Sequence, residues 1–304
     1  MSLSALQARL GNRLLPNESL SRYTAARLGG PAEWLYIARE SLDELCEVVL
    51  EAWADDLPVQ VMGGGANVLV SDKGIPGLVV INDISEIAFG DWHDGRTVSA
   101  TSGVNLTVFA HKCASKGFAG MEWAVSVPGT VGGAIVNNAG AHGSDTAASV
   151  ADVVVLEPTG PKLYTREDLD YGYRTSTLKR RADRRFLVLL ATFCLPPDDS
   201  EAIKARMAHN IDYRKRTQPP GASLGSIFKN PPGDYAGRLI EAAGLKGQRI
   251  GNVIVSPVHA NFFINEGEAK AADYRALIEK VQAEVERQFG VHLEPEVEFL
   301  GTWD

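Results

Sequence analysis

Apolar residues recur at three- and four-residue spacing in several segments, which is the pattern of amphipathic helices. The first such helix reaches Trp53 and starts after Ser41, which forms a capping box with Glu44. The last extends from about Asp273 to Phe289. Between them the same spacing predicts three more helices, which include Leu106–Cys113, Ile203–Ile211 and Asp234–Ala243.

Short apolar runs between glycines, prolines and charged residues predict strands. They are Pro58–Met62, Gly77–Ile81, Thr97–Ala100, Val150–Glu157, Phe186–Leu195 and Phe262–Ile264. Strands and helices alternate only loosely, so the pattern favours an α+β fold over a regular doubly wound sheet. The segment Pro196–Ser200 is the predicted linker. We therefore expect one region over 1–198, with subdomains of about 1–82 and 83–198, and a second over 199–304.

Composition narrows the class of protein. A chain of 304 residues with 45% apolar and 22% charged residues is typical of a soluble globular protein of two or three domains. A net charge of −8 argues against nucleic-acid binding as the main activity, because phosphates are neutralised by basic surfaces. It leaves room for one local basic pocket that binds an anionic small molecule.

The three cysteines, Cys46, Cys113 and Cys194, are far apart and lie in apolar stretches, as reduced core cysteines do. The chain has no paired Cys-x-x-Cys motif and no His-Glu-x-x-His motif, so we expect no metal site. Its first residues lack the apolar core of a signal peptide, and no apolar run reaches membrane-spanning length. These features predict a cytoplasmic protein without membrane insertion.

A first glycine run, Val61–Asp72, contains Gly63, Gly64 and Gly65 in succession. It differs from the dinucleotide-binding fingerprint because Val68 stands where the third glycine is required. The interval to the next predicted strand also has no room for a crossover helix. Three successive glycines can turn their N–H groups into one concavity that an anion approaches closely, although a tight turn needs only one glycine. The run therefore favours a phosphate-bearing cofactor.

A second glycine run, Val125–Gly143, holds five glycines and very little charge. We expect that such a run does not build a core by side-chain packing, so its backbone lies against something else. A flat ligand with polar edges is one candidate. A small-residue helix over Gly132–Asn138 that packs closely on a sheet is the other, and the two are compatible.

Together these motifs resemble the flavin-binding half of the UDP-N-acetylenolpyruvoylglucosamine reductase (UDP-N-acetylmuramate dehydrogenase) family. The matching residues are Tyr23-Thr24, Arg27, Gly29-Gly30, Gly63–Asn67, Pro128–Ala134 and Asn138–Gly143. The resemblance implies an FAD-binding region over 1–198 with the fold of vanillyl-alcohol oxidase/PCMH-type flavoproteins, followed by an α+β substrate-binding domain over 199–304. The implied FAD contacts are Gly63, Gly64, Gly65, Ala66, Asn67, Val68, Pro128, Gly129, Thr130, Gly132, Gly133, Ala134, Asn138 and Gly140.

Three further motifs extend the resemblance over nearly the whole chain: Gly172–Ser176, Gly225–Pro231 and Leu293–Val297. They imply Arg174, Ser226 and Glu296 as catalytic residues. In the family reaction NADPH reduces the flavin, and hydride passes to C3 of the enolpyruvyl group of UDP-N-acetylglucosamine enolpyruvate. Arg174 would pair with the substrate carboxylate, a protonated or hydrogen-bonded Glu296 would assist, and Ser226 would protonate C2. This step belongs to peptidoglycan precursor synthesis, on which cell shape and cell division depend.

The interval from Arg174 to Ser226 is short for this family and leaves little room for the loop that carries a tyrosine in longer members. The chain thus resembles the shorter subclass. Substrate contacts are expected at Tyr173, Arg214, Lys229, Asn230, His259 and Asn261. Lys229 is also the cation nearest in sequence to Ser226. Ala66 replaces a frequent serine, and Asn252-Val253 replaces a frequent glycine-alanine pair.

Two other functions compete with this interpretation. An oxidase of the same fold that acts on alcohols or sugars would be reoxidised by oxygen without NADPH, and it would leave the motifs at Ser226 and Glu296 unexplained. A non-catalytic FAD-binding module would bind flavin without turnover, and the complete set of Arg174, Ser226 and Glu296 argues against it.

Overall fold

The protein was analysed as a computed structural model that describes residues 3–90 and 96–303. The helices are α1 Leu3–Leu10, α2 Leu42–Ala54, α3 Leu106–Ser115, α4 Val131–Asn137, α5 Thr177–Arg180, α6 Ser200–Thr217, α7 Ala236–Ala242 and α8 Ala271–Phe289. The strands are β1 Leu14–Ser19, β2 Pro31–Ala38, β3 Val59–Met62, β4 Val68–Val70, β5 Ile75–Asn82, β6 Ile87–Gly90, β7 Thr97–Thr101, β8 Gly140–Ala141, β9 Ser144–Asp145, β10 Val150–Glu157, β11 Gly160–Thr165, β12 Leu187–Cys194, β13 Arg249–Ile250, β14 Val253–Val255, β15 Phe263–Asn265 and β16 Glu298–Leu300.

The described residues form two compact units. The first contains the chain up to Leu15, Trp34–Gly64 and Gly77–Arg214. The second contains Pro16–Glu33, Gly65–Pro76 and the chain from Lys215 onward. This division differs from the predicted cut between 198 and 199. Helix α6 stays with the first unit because Ile203 and Met207 lie in its core, and residues 65–76 join the second because β4 pairs with β16.

One core of the first unit lies around α1, α2 and the sheet ordered β1-β2-β5-β3. Helix α2 begins as predicted, since the Ser41 hydroxyl accepts the Glu44 N–H at 3.1 Å. The Glu44 carboxylate does not complete a capping box in return. It accepts hydrogen bonds from both terminal nitrogens of Arg13 and from the Tyr36 hydroxyl. The helix buries Leu45 and Val49. The bond from Tyr36 to Glu44 connects its first turn to β2.

The other core of the first unit lies under an antiparallel sheet ordered β11-β10-β12-β7-β6. Helices α3, α4 and α6 contribute buried residues to it, among them Phe109, Ile135 and Met207. Phe109 packs on Phe193 with ring centroids 4.8 Å apart. The predicted strands at 97–100, 150–157 and 186–195 are confirmed, and none of their ends shifts by more than one residue.

The second unit has its core between α7, α8 and the antiparallel sheet β13-β14-β15. Helix α8 buries Leu277, Val281 and Val285 on the face that the apolar spacing predicts, and Gly290 ends it in the left-handed region at a φ of 67°. The parallel pair β4 and β16 joins this core through Leu69. The α+β prediction is confirmed.

Candidate active site

In the first unit the two glycine runs meet backbone to backbone. A Cβ added to Gly64 would lie 3.3 Å from the Gly129 Cα, and one added to Gly63 would lie 2.5 Å from Thr130 Oγ1. Gly129 itself has a φ of 120°, a conformation that L side chains rarely adopt. The absence of larger side chains in both runs therefore allows their backbones to pack against each other. As expected, no crossover helix follows the first run, since the described chain passes through β4 directly into β5.

Helix α4 lies within the second run and packs closely, as one of the two alternatives predicts. Thr130 is its N-cap and accepts the Gly133 N–H, and a Cβ on Gly132 would lie 2.8 Å from that of Ser102. The expectation that this run builds no core is wrong. Val131 and Ile135 are fully buried. Gly132 lets one side of the helix approach Ser102 closely, and these two apolar side chains pack into the core.

Arg174 lies in a tight turn beside this helix. Gly172 and Thr175 exchange two backbone hydrogen bonds, of 3.1 and 3.3 Å, and Arg174 between them has a φ of 55°. A left-handed conformation costs a non-glycine residue about 1 kcal/mol or more. The guanidinium Nη2 donates to the Gly140 carbonyl at 2.8 Å. Arg174 thus contacts the second glycine run, and the neighbouring Tyr173 is exposed.

The predicted FAD contact Asn138 is buried and bonded within the protein. Its amide nitrogen donates to the Gly172 carbonyl at 2.9 Å and to the Asp145 carboxylate at 3.1 Å. Its amide oxygen accepts the Ala147 N–H at 3.0 Å. These bonds fasten the end of α4 to the turn that carries Arg174.

A half-buried Arg214 lies at the end of α6. Burial lowers its pKa, and burial followed by the charge of Arg214 also lowers the pKa of His142, a residue of the second glycine run. The His142 ring packs edge-on against Tyr213 at a centroid distance of 5.5 Å. Tyr213 and Arg214, near the end of α6, are therefore neighbours of the second glycine run.

In the second unit the first glycine run continues against the segment Tyr23–Ala25. The Ala25 N–H donates to the Gly65 carbonyl at 3.0 Å. A Cβ added to Gly65 would lie 2.0 Å from the Tyr23 carbonyl oxygen, so glycine is required there. Thr24 is buried and closes the adjacent turn by donating to the Leu28 carbonyl. Tyr23 and Thr24 belong to the matching motifs, but their spacing gave no sign that they support the loop.

Pairing of β4 with β16 places the end of the same loop beside Glu296. The Asn67 amide nitrogen donates to the Glu296 carbonyl at 3.0 Å, and the Glu298 N–H donates to the Asn67 carbonyl at 3.0 Å. Asn67 and Glu296 are separated by 229 positions in the chain. A predicted cofactor residue and a predicted catalytic residue are thus neighbours.

Ser226 lies on an extended segment between two others. It bridges Phe262 on one side, and on the other side Phe228 bridges Pro295. The Glu296 N–H donates to the Ile227 carbonyl at 2.8 Å. The second unit therefore brings together Ser226, Glu296 and Asn67.

Lys229 and Asn230 follow Ser226 and have partners in the same unit. The Lys229 ammonium donates to the Glu294 carboxylate at 2.5 Å, and the Asn230 amide oxygen accepts the Ala236 N–H at the start of α7. Lys229, the cation nearest in sequence to Ser226, is therefore engaged in an ion pair with Glu294.

The predicted substrate contact Asn261 is buried, and both ends of its amide bond the Phe228 backbone at 3.0 and 2.8 Å. These bonds hold the strand that carries Ser226. His259 accepts the Asn261 N–H on Nδ1 at 3.2 Å, and burial lowers its pKa. A lowered pKa and an accepting Nδ1 both favour the neutral ring.

The residues of the first unit fit FAD. A Cβ added to Gly133 would meet only Thr130 Oγ1, at 3.8 Å, so packing within the fold does not demand glycine at this helical position. Close approach of a cofactor to the backbone would demand it. The neighbouring positions Gly129 and Thr130 offer backbone and hydroxyl groups of the kind that bind polar cofactor edges. Across residues 3–90 and 96–303, no group of three His, Cys, Asp or Glu side chains is arranged to hold a metal.

Comparison with known proteins agrees with this geometry. An FAD binding domain profile matches residues 35–161, and the profile of the UDP-N-acetylenolpyruvoylglucosamine reductase C-terminal domain matches residues 217–300. A UDP-N-acetylenolpyruvoylglucosamine reductase of Chloroflexus aggregans is 42% identical over 94% of this chain and 97% of its own length. The chain belongs to the UDP-N-acetylenolpyruvoylglucosamine reductase family. It is an FAD-binding oxidoreductase.

Other members of the UDP-N-acetylenolpyruvoylglucosamine reductase family align over a similar share of this chain. Reductase 2 of Symbiobacterium thermophilum is 41% identical over 95% of this chain and 92% of its own length. The crystal structure of the reductase from Thermus caldophilus superposes with a TM-score of 0.79 at 32% identity, over 95% of this chain and 99% of that one. The predicted FAD-binding fold, the C-terminal domain of the family and the shorter subclass are confirmed.

Proposed function

We propose that this chain reduces the enolpyruvyl ether of UDP-N-acetylglucosamine enolpyruvate to UDP-N-acetylmuramate, with NADPH as the hydride donor. The observation that carries the proposal is the hydrogen-bonded cluster of Asn67, Glu296 and the Ser226 segment in the second unit. It supports a site in which a cofactor loop and two chemically active side chains act on one ligand. Family membership supports the identity of that ligand.

FAD, when bound, supplies hydride transfer from NADPH to C3 of the enolpyruvyl group. The loop Gly63–Asn67 is proposed to hold its pyrophosphate through backbone N–H groups. Gly129, Thr130 and the first turn of α4 are proposed to border the flavin ring. This placement of the flavin ring is supported by Gly133, because the internal packing of the fold does not require glycine at that position.

Hydride addition at C3 places negative charge on C2 and on the adjoining carboxylate of the substrate. We assign Arg174 to that carboxylate, because its planar fork can donate two parallel hydrogen bonds as charge develops. The short turn around Arg174 and its bond to Gly140 support this role by limiting the freedom of the guanidinium. Tyr173 and Arg214 are proposed substrate contacts of the same unit.

Ser226 is assigned to the protonation of C2, and Glu296 to the activation of the carboxylate. A serine hydroxyl is a weak acid, so its proton must be replaced from a neighbouring donor as it leaves. Glu296 in its protonated form would donate its one proton to the substrate carboxylate, and the adjacency of the two extended segments supports its place beside Ser226. Lys229, Asn230 and His259 remain proposed substrate contacts, whereas the bonds of Asn261 support a role in holding the strand.

The reaction places the chain in peptidoglycan precursor synthesis in the cytoplasm, a step on which cell shape and division depend. The net charge of −8 disfavours nucleic acid as the partner. It leaves room for a local basic pocket that binds a small anionic substrate. Within the described residues no helix is long and apolar enough to cross a membrane.

The decisive experiment follows NADPH oxidation without oxygen, with and without UDP-N-acetylglucosamine enolpyruvate. The proposal requires continuous oxidation only when the substrate is present, with UDP-N-acetylmuramate as the product. Oxidation that proceeds equally without the substrate would refute it. Reoxidation by oxygen after addition of an alcohol or sugar would favour the oxidase alternative, and bound flavin without any turnover would favour a binding module.

A further inference from the structure

A short turn presents Arg174, and the role inferred for its surroundings rests on the proposed function. Gly172 and Thr175 close this turn by two backbone hydrogen bonds, and Arg174 occupies its third position with a φ of 55°. Turns with a positive φ at the third position strongly prefer glycine or asparagine there. Because the arginine conformation is intrinsically unfavourable, contacts outside the turn must maintain it.

Asn138 makes such a contact. Its amide nitrogen donates to the Gly172 carbonyl at 2.9 Å, and that same carbonyl accepts the Thr175 N–H within the turn. A carbonyl oxygen has two lone pairs, so both bonds can form together. Asn138 is 4% exposed, which shields the bond from competing water.

The backbone around Asn138 contributes a second restraint. Asn138 ends helix α4 in the left-handed region, at a φ of 45°, and two residues later the Gly140 carbonyl accepts the Arg174 guanidinium at 2.8 Å. The segment 138–140 thus forms hydrogen bonds with the Gly172 carbonyl of the turn and with the side chain of Arg174. Asp145 orients the Asn138 amide by accepting its second N–H at 3.1 Å.

We propose that Asn138 is a positioning residue for Arg174, and that it acts through the Gly172 carbonyl rather than by contact with FAD. This assignment replaces the FAD contact that the sequence motif implies. It predicts that the loss of the Asn138 donor impairs the step in which the substrate carboxylate is held, while flavin binding and flavin reduction persist.

Asn138→Asp is the first variant to examine, because aspartate also tolerates the left-handed conformation and retains an acceptor for Ala147. It loses the donor to Gly172 and places a carboxylate against that of Asp145. We expect kcat for the substrate to fall about 10- to 100-fold, as small misplacements of a catalytic group do. The FAD absorbance and the rate of flavin reduction by NADPH should stay within about two-fold of wild type.

The double variant Asn138→Asp with Asp145→Asn separates positioning from stability. It restores an amide-carboxylate pair between these positions with donor and acceptor exchanged, but it cannot restore a donor to Gly172. We expect the thermal unfolding midpoint to return towards wild type while kcat stays low. Asn210→Asp is the matched control, since it removes another amide-to-carbonyl bond, to Glu122, in the same unit; kcat should change less than about two-fold.

Several outcomes would overturn the inference. They are unchanged kcat in Asn138→Asp, recovery of kcat together with stability in the double variant, loss of FAD in both variants, and failure of the double variant to fold. The last would mean that the Gly172 bond is needed for the fold itself. A wild-type protein without substrate-dependent turnover would refute the proposed function instead, so the two failures are distinguishable.

Discussion

The backbone N–H of Glu296 donates to the carbonyl oxygen of Ile227, the residue that follows Ser226, at 2.8 Å. The bridge between Phe228 and Pro295 continues this pairing of extended segments. Backbone groups form both contacts, so neither requires the side chain of Ser226 or of Glu296. Substitution of either side chain therefore tests chemistry while the pairing is retained.

Ser226→Ala should reduce turnover of the enolpyruvyl substrate about 10²- to 10⁴-fold, the range expected for loss of a proton donor. Flavin reduction by NADPH should be nearly unchanged, because that half-reaction needs no proton at C2. Rapid-mixing absorbance measurements of the two half-reactions separate these effects. Ser115→Ala serves as the control. It removes an exposed hydroxyl that donates to the Lys112 carbonyl. Rapid substrate reduction by Ser226→Ala would exclude this serine as the donor.

Glu296→Gln should lower kcat about 10²- to 10³-fold with a smaller change in KM, since the proposed contact strengthens in the transition state. Glu286→Gln is the control, because Glu286 is exposed on helix α8 of the same unit and forms its ion pair with His292. Steady-state kinetics and urea unfolding of both variants are the measurements. Equal kinetic effects of the two substitutions would contradict a specific role for Glu296.

Gly132→Ala and Gly133→Ala should have opposite effects on the apoprotein. A Cβ at position 132 would lie 2.8 Å from that of Ser102 and should destabilise the fold by about 1–3 kcal/mol. A Cβ at position 133 meets no close atom, and alanine should stabilise helix α4 by up to about 1 kcal/mol. Urea unfolding without FAD measures both effects.

The same pair of variants tests the flavin assignment. If FAD approaches the backbone at position 133, Gly133→Ala should bind FAD at least about ten-fold more weakly despite its greater stability. Titration of the apoprotein with FAD, followed by flavin fluorescence, gives the affinity. Unchanged affinity in Gly133→Ala would place the flavin elsewhere.

Stability in acid should depend on Glu44. Hydrogen bonds from Arg13 are the main cause that lowers the pKa of its carboxyl below the ordinary 4.5, and Tyr36 adds to the shift. A carboxyl whose pKa is lower in the folded state stabilises the protein above the unfolded-state pKa, and this contribution disappears as pH falls through the folded-state value. Glu44→Gln should therefore be less stable than wild type at pH 7.

The difference between wild type and Glu44→Gln should shrink as the pH falls below the ordinary carboxyl pKa of 4.5. Urea unfolding midpoints at several pH values measure it. Glu51→Gln, which interrupts a more exposed ion pair with Arg9, should show a smaller effect at pH 7. A constant difference between Glu44→Gln and wild type at all pH values would rule out the linkage.

Elements with strong local signals were predictable. Ser41 caps α2, and the apolar positions of α8 are those the core buries. By contrast α1 and β2 were not predicted. Helix α1 has only eight residues, although Leu3, Leu6 and Leu10 are spaced as on one helix face, and β2 buries its residues without strict alternation. The two compact units also differ from the predicted division, since strand pairing over long separations draws residues 65–76 into the second unit.

The candidate residues divide in the same way. The family resemblance implied Arg174, Ser226 and Glu296 as a set, whereas the left-handed conformation of Arg174 has no local signal, because arginine does not favour it. Asn138 and Asn261 have the residue type of ligand contacts. Only the tertiary structure shows that their amides already bond other groups of the protein, most of them in the backbone.

The sequence alone determined the class of the protein, because glycines required by backbone conformation and residues required by chemistry occur as local motifs that can be identified without coordinates. Tertiary structure decided which of those residues are neighbours. The contact of Asn67 with Glu296 depends on a strand pair closed across 229 positions. Such a pair is selected by the burial and backbone hydrogen bonding of the whole second unit, and no local segment encodes it.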